Sequence, residues 1–104
     1  MRLTLKKAIL ISIELWTWLA ETGEEYKREW SGWIKYGEMS FDCALCEYGE
    51  RKDGDNRCVH CPYYLKFGKC FNEGQPYRKW ADTDTPKTRK KYASLLLAQL
   101  EELK

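Results

Sequence analysis

Residues 43–61, CALCEYGERKDGDNRCVHC, hold two Cys-x2-Cys pairs, Cys43/Cys46 and Cys58/Cys61, separated by eleven residues. Two such pairs at this distance let a short chain wrap four thiolates around one tetrahedral Zn2+ ion. Iron in a rubredoxin-like site shares the spacing, but zinc is the commoner outcome in a small domain with no other redox feature. The chain has five cysteines, an odd number, and four of them form close pairs. That favours metal binding in a reducing cytosol over a secreted disulfide scaffold. The fifth, Cys70, follows Cys61 after eight residues. The preferred ligand set is therefore Cys43, Cys46, Cys58 and Cys61, with Cys70 as a substitute that would most easily replace Cys58 or Cys61. Four sulfurs leave zinc no open position for water or substrate, so the expected role of the metal is structural.

Between the pairs, EYGERKDGDNR (47–57) carries turn chemistry at Asp53-Gly54 and Asp55-Asn56 and is expected to form a hairpin-like loop or two short ribs. The alternation of Asp53, Asp55 and Asn56 does not meet the calcium-loop pattern, because the glycine is misplaced and no suitably spaced Glu closes the loop. His60, the one histidine, sits between two expected ligands. A Cys70–His60 nucleophile and a Ser-His-Asp set would both have to use it. No phosphate-binding Gly-x4-Gly-Lys, H-E-x-x-H or zinc-deaminase signature is present, so the chain is expected not to be an enzyme; a Cys70-dependent activity is the remote alternative.

Outward from the cysteines the pattern is helical. In residues 4–22, Ile9, Ile13, Trp16 and Ala20 recur along one stripe, Ala8, Leu15 and Leu19 broaden it, and Gly23 is a natural stop. Such a helix needs cover on more than one side, from this domain or from a second copy, so a homodimer through the helices is an open expectation. The stretch 24–30 predicts a short second helix ended by Ser31-Gly32, with Trp30, Trp33 and Tyr36 forming an aromatic stripe for the first helix or a partner. Thr85-Pro86 opens a C-terminal helix over 85–103, with Ala93, Leu96, Leu97, Leu100 and Leu103 inside. The expected architecture is a single, mainly α domain. A helical part (4–36), a zinc-binding segment (42–71) with an irregular or β-hairpin centre, a connection (72–84) and the last helix pack around the four-cysteine site.

Composition agrees with an ordered domain: 43% hydrophobic and 33% charged residues, with five Trp and seven Tyr to fill a small core. The basic start followed by AILISIELWTWLA superficially resembles a leader, but Glu14 interrupts the run and no small-residue cleavage site follows. It is also too short to span a bilayer, so no membrane role is expected. The net charge is only +2, yet Lys66, Lys69, Arg78, Lys79, Lys87, Arg89, Lys90 and Lys91 face just Glu73, Asp82 and Asp84 within residues 66–91. That surplus suits a phosphate-bearing or acidic partner. Four of these cations fall in the first turns of the last helix, where its dipole disfavours them. Tyr77 and Trp80 are expected to anchor the connection to the body or, beside Arg78, to offer plates for a nucleotide.

The W-x-W-L-A-E helix (16–21), the aromatic stretch Trp30, Trp33 and Tyr36, the two cysteine pairs with Pro62, the further Cys70, P-Y-x-x-W (76–80) and the closing Lys/Leu helix together resemble small cysteine-rich proteins encoded by phages and prophages. The resemblance covers most of the chain and implies a phage origin, hence the cytoplasm of an infected bacterial host. The pairs depart from the zinc-ribbon knuckle, since neither Cys46 nor Cys61 is followed by Gly. The leading expectation is a non-enzymatic zinc-binding module that engages nucleic acid or a host protein through its basic surface. The alternative is an anti-defence inhibitor that blocks a host immune protein or sequesters a nucleotide signal.

Overall fold

Thr4 closes the first turn of the N-terminal helix, its side chain accepting a hydrogen bond from the Lys7 N–H at 3.2 Å, and Gly23 ends that helix in the left-handed conformation at φ 72°. This helix, α1 (Leu5–Thr22), buries Ile11, Leu15 and Leu19 completely. Those residues lie four apart, so the innermost line of the helix is turned from the expected Ile9/Ile13/Trp16 stripe toward Leu15 and Leu19. The computed structural model describes residues 3–37, 43–52, 60–70 and 72–104. Among them are α2 (Gly32–Tyr36), α3 (Ala44–Lys52), α4 (Pro62–Phe67), α5 (Pro76–Asp82) and α6 (Pro86–Glu101). The fold is mainly α, with six helices and no strand among the described residues.

Among the described elements α1 and α6 are the most extensively packed pair. Thr85 caps α6 by accepting from the Thr88 N–H, and Ala93, Leu96 and Leu100 are buried against the body, with Leu97 and Leu103 partly so. The two helices run antiparallel and are locked where the end of α1 meets the start of α6. A Cβ on Gly23 would stand 2.8 Å from the Pro86 carbonyl oxygen, so only glycine allows both the positive φ and this approach. Beside it the buried Arg89 donates from Nε to the Gly23 carbonyl at 2.7 Å. A guanidinium at the carbonyl end of α1 also complements the helix dipole.

The segment before α2 differs from expectation. Only Lys27–Glu29 forms a single 3-10 turn, and Ser31-Gly32 begins α2 where it was expected to end a helix. The Trp33 Nε1–H donates to the Lys27 carbonyl at 2.9 Å, and the extended backbone at Trp30 turns its indole into the core. Gly32 makes room for that ring, because a Cβ there would come within 2.2 Å of it. The aromatic stripe packs inward: Trp30 is buried, Trp33 meets it edge-on at 5.2 Å, and the Tyr36 hydroxyl donates to Glu14. Glu14, the interruption in the apolar run of α1, thus receives a phenol, with Lys35 4.0 Å away.

Two further expectations are corrected. The first half of the loop between the cysteine pairs is helical, not a hairpin rib, since α3 covers it as far as Lys52. Cys43 accepts from the Cys46 N–H through its sulfur at 3.4 Å, Ala44 and Leu45 are buried, and Glu47 pairs with Arg51 at 3.3 Å one turn on. The turn residues Asp53, Gly54, Asp55 and Asn56 lie outside the described residues. The 72–84 connection contains a helix, α5, in which Pro76 is the first helical residue.

Candidate metal centre

Three short elements bring cysteines to one place beneath α1. Cys43 immediately precedes α3 and Cys46 lies in its first turn, Cys61 is the N-cap of α4, and Cys70 follows the Gly68 stop of that helix. These four sulfur-bearing side chains border a single cavity of about 40 Å³, walled by Ser12 and Trp16 of α1, Tyr63, Tyr77 and Leu96. None of the four is in a disulfide. As they stand, no three His, Cys, Asp or Glu side chains among the described residues are gathered tightly enough to hold an ion. Cys58, a member of the preferred ligand set, lies outside the described residues, while Cys70 joins Cys43, Cys46 and Cys61 at the cavity wall. His60 is exposed and does not line it.

The electrostatics of the cavity favour thiolate at one end. The hydrogen bond from Cys46 holds the Cys43 thiol below its usual range against the opposing effect of burial, helped by the Lys27 ammonium and by backbone N–H groups at the start of α3. Cys46 is pushed the other way by its bond to Cys43, by burial and by the neighbouring Cys70 and Cys61. Lys27 is oriented by the Tyr77 hydroxyl at 2.5 Å. Burial, with Cys70 and Cys61 nearby, pushes the Tyr63 phenol up to about 12, so it is neutral at physiological pH. Its hydroxyl lies 2.6 Å from the Gln99 amide oxygen and 3.2 Å from that of Gln75, and the Gln75 amide donates to the Phe67 carbonyl at 2.7 Å. This network ties α4, the start of α5 and α6 together around the cysteines.

The wall contains one polar group that is not satisfied. The Ser12 hydroxyl is buried and has no hydrogen-bond partner among the described residues. In an apolar helix face such a group costs on the order of 1–3 kcal/mol unless something accepts its proton. The cavity lining thus brings together four sulfur-bearing side chains and an unsatisfied hydroxyl, with a cation beside Cys43, without an arrangement among the described residues that would itself hold an ion. A cavity of about 40 Å³ has room for an ion and not for an organic substrate.

The basic residues do not form one patch. Arg89 is a correction: it is buried on the Gly23 carbonyl, so it belongs to the core and not to a surface for anions. Arg78 pairs with Asp82 at 2.9 Å. Lys66 donates to the Glu102 carbonyl at 3.2 Å, and Lys69 is exposed. The cations that do come together are on α5 and the first turns of α6. Lys87, Lys90 and Lys91 are exposed at i, i+3 and i+4, and Lys79 and Lys91 lie 5.8 and 5.5 Å from the centre of the Tyr92 ring. Tyr77 and Trp80 anchor α5 to the body, the first of the two expectations for them: Trp80 is buried edge-on against Trp16 at 4.9 Å and the partly buried Tyr77 is 5.7 Å from the same indole. The Trp80 ring belongs to the core, and Tyr77 packs against it.

A second cavity, of about 410 Å³, lies on the outer flank of α1 between Leu5, Ile9, Leu10, Ile13 and Leu103, with Lys6 and Lys104 at its edge. No helix among the described residues is long and apolar enough to cross a membrane. The chain matches no protein-family model, no curated protein and no solved structure.

Proposed function

We propose that this chain is a non-enzymatic, phage-type binding module, stapled by a structural zinc ion, that meets the phosphate backbone of a nucleic acid through Lys79, Lys87, Lys90 and Lys91. The observation that carries the reading is the convergence of Cys43, Cys46, Cys61 and Cys70 on one small cavity while the exposed lysines stand elsewhere, on α5 and α6. When bound, zinc supplies cross-linking between α3, α4 and the turn at Cys70. A four-sulfur shell has no position left for a reactant, and a cavity of about 40 Å³ admits none, which supports a structural role for the ion.

The lysine face has the chemistry of backbone binding without base reading. The first turn of α6 holds no acidic residue, so nothing on that turn neutralises Lys87, Lys90 and Lys91. Lysines offer compact point charges that follow phosphates and release counterions. The test is a salt titration of binding to a short oligonucleotide duplex and to a single strand. Affinity is expected to fall steeply with salt, and the slope of log affinity on log salt should lose about 0.9 for each lysine changed to Gln that meets a phosphate in duplex DNA. Salt-independent binding, or tight binding to an acidic protein in place of the oligonucleotide, would exclude the nucleic-acid reading.

A further inference from the structure

The groove on the outer flank of α1 shares no lining residue with the cysteine cavity and lies apart from the lysines of α5 and the first turns of α6. We infer that it binds a long-chain carboxylate, a fatty acid of about a dozen carbons whose tail lies along α1 and whose head is met by Lys6 and Lys104. The inference stands independently of the zinc and nucleic-acid readings.

Size and lining come first. A chain carbon takes about the share of one water in the liquid, roughly 30 Å³, so a groove of about 410 Å³ holds a single chain of that length and not a bulky ligand. From Leu5 to Ile13 the helix rises about 12 Å, enough to carry most of such a chain. Ile9 and Ile13 are buried and form the floor, while Leu5 and Leu10 keep 41% and 49% of their surface exposed and flank it with Leu103. Exposed leucines beside a concave apolar surface are available to a ligand, and each methylene that leaves water for such a surface raises affinity about 4-fold.

Charge then selects the occupant. The groove is polarised along its length: Lys6 sits in the first turn of α1 and Lys104 just past the end of the antiparallel α6, whereas the lining toward Ile13 is apolar. The first turn of α1 holds no acidic residue, so the helix dipole adds to the Lys6 charge. Lys104 is paired with Glu101 at 2.9 Å, but both side chains are exposed and such a pair is weak enough to exchange partners. Lys6 is therefore the principal contact and Lys104 the second. One cationic end and one apolar run match a single-chain anionic amphiphile. A second copy fits less well, because a two-fold pairing of this face would bring the Lys6 and Lys104 of both chains into one apolar seam. A neutral apolar segment would cover the same ammonium groups without neutralising them.

The test is calorimetric titration of the full-length protein with dodecanoate below its micelle-forming concentration, with octanoate and uncharged dodecanol for comparison. One dodecanoate should bind per chain, and affinity should rise about 4-fold per methylene from octanoate to dodecanoate. Dodecanol should bind about 2- to 5-fold more weakly than dodecanoate, and Lys6→Gln should weaken dodecanoate by a similar factor. Leu10→Glu, at an exposed position, should abolish binding, and Leu5→Glu repeats the readout at the other exposed leucine; circular dichroism checks that each variant is folded. No dodecanoate binding, or binding undiminished in both folded leucine variants, overturns the site. Dodecanol binding as tightly as dodecanoate overturns the role of the lysines. Sedimentation of the unliganded protein should show a monomer; a dimer dispersed by Leu10→Glu would assign the groove to a second copy. Co-sedimentation with phosphatidylglycerol vesicles without binding of free dodecanoate would assign it to a lipid surface, and either result overturns the inference.

Discussion

α1 buries eight residues along its length, and α6 adds Ala93, Leu96 and Leu100 to the same seam; α4 buries one, Tyr63, and leaves Leu65 exposed. The first pair is held by apolar area and by a lock of Gly23, Pro86 and Arg89 that requires nothing from outside the chain. The cysteine half has short helices, a few side-chain hydrogen bonds through Gln75 and Gln99, and sulfurs around a cavity. Hydrophobic burial scales with area, and a six-residue helix with one buried side chain contributes little of it. The contrast identifies where a metal would add stability and where it would add almost none.

The largest effect should come from breaking the cysteine half. Cys61→Ser, which removes a proposed ligand from the N-cap of α4, should abolish stoichiometric zinc binding, whose free energy in small zinc modules is on the order of 10 kcal/mol. Metal analysis and denaturation of the variant check this, and the loss should be absent when the wild type and variant are compared in chelator. Leu15→Ala attacks the other half. Leu15 is completely buried, so unfolding free energy should fall by about 3 kcal/mol with or without metal, measured by chemical denaturation in both conditions.

Arg89→Met sharpens the comparison at the lock between α1 and α6. It removes a charge-assisted hydrogen bond to the Gly23 carbonyl while keeping most of the buried stem, and should cost about 2 kcal/mol, again independent of metal. The smallest change in stability is expected for the triple variant Lys87→Gln, Lys90→Gln, Lys91→Gln. These exposed residues should alter unfolding free energy by less than about 0.5 kcal/mol while weakening the oligonucleotide affinity, read in the same salt titration. A large stability loss would mean that the lysines belong to the fold and not to a partner surface.

How far each part could be read in advance follows from the range of its determinants. α1 and α6 were legible because their signals are local: a helical apolar period, Gly23 at one end, Thr85-Pro86 at the other. α3 was missed because the Asp-Gly turn chemistry at residues 53–54 dominated the reading of the whole insert. The forces that favour helix before it are partly tertiary, namely burial of Ala44 and Leu45 under α1 and the sulfur cap from Cys43. α5 lies inside the stretch read as a connection, because a seven-residue helix opened by Pro76 is too short to show a helical apolar period. Arg89 looked like one more surface cation, since no local pattern reveals that the Gly23 carbonyl, sixty-six residues away, lies opposite it. The cysteines were recognisable as a group, and the path of α4 brings Cys70 to the cavity that Cys43, Cys46 and Cys61 also border.

Hydrogen exchange of the full-length protein, with zinc and after chelation, tests the division of the molecule most directly. Removing the metal should strip protection from the amides of α3 and α4 while those of α1 and α6 around Leu15, Leu19, Leu96 and Leu100 remain protected. Exchange that is unchanged everywhere, or that rises equally in both halves, would contradict the account.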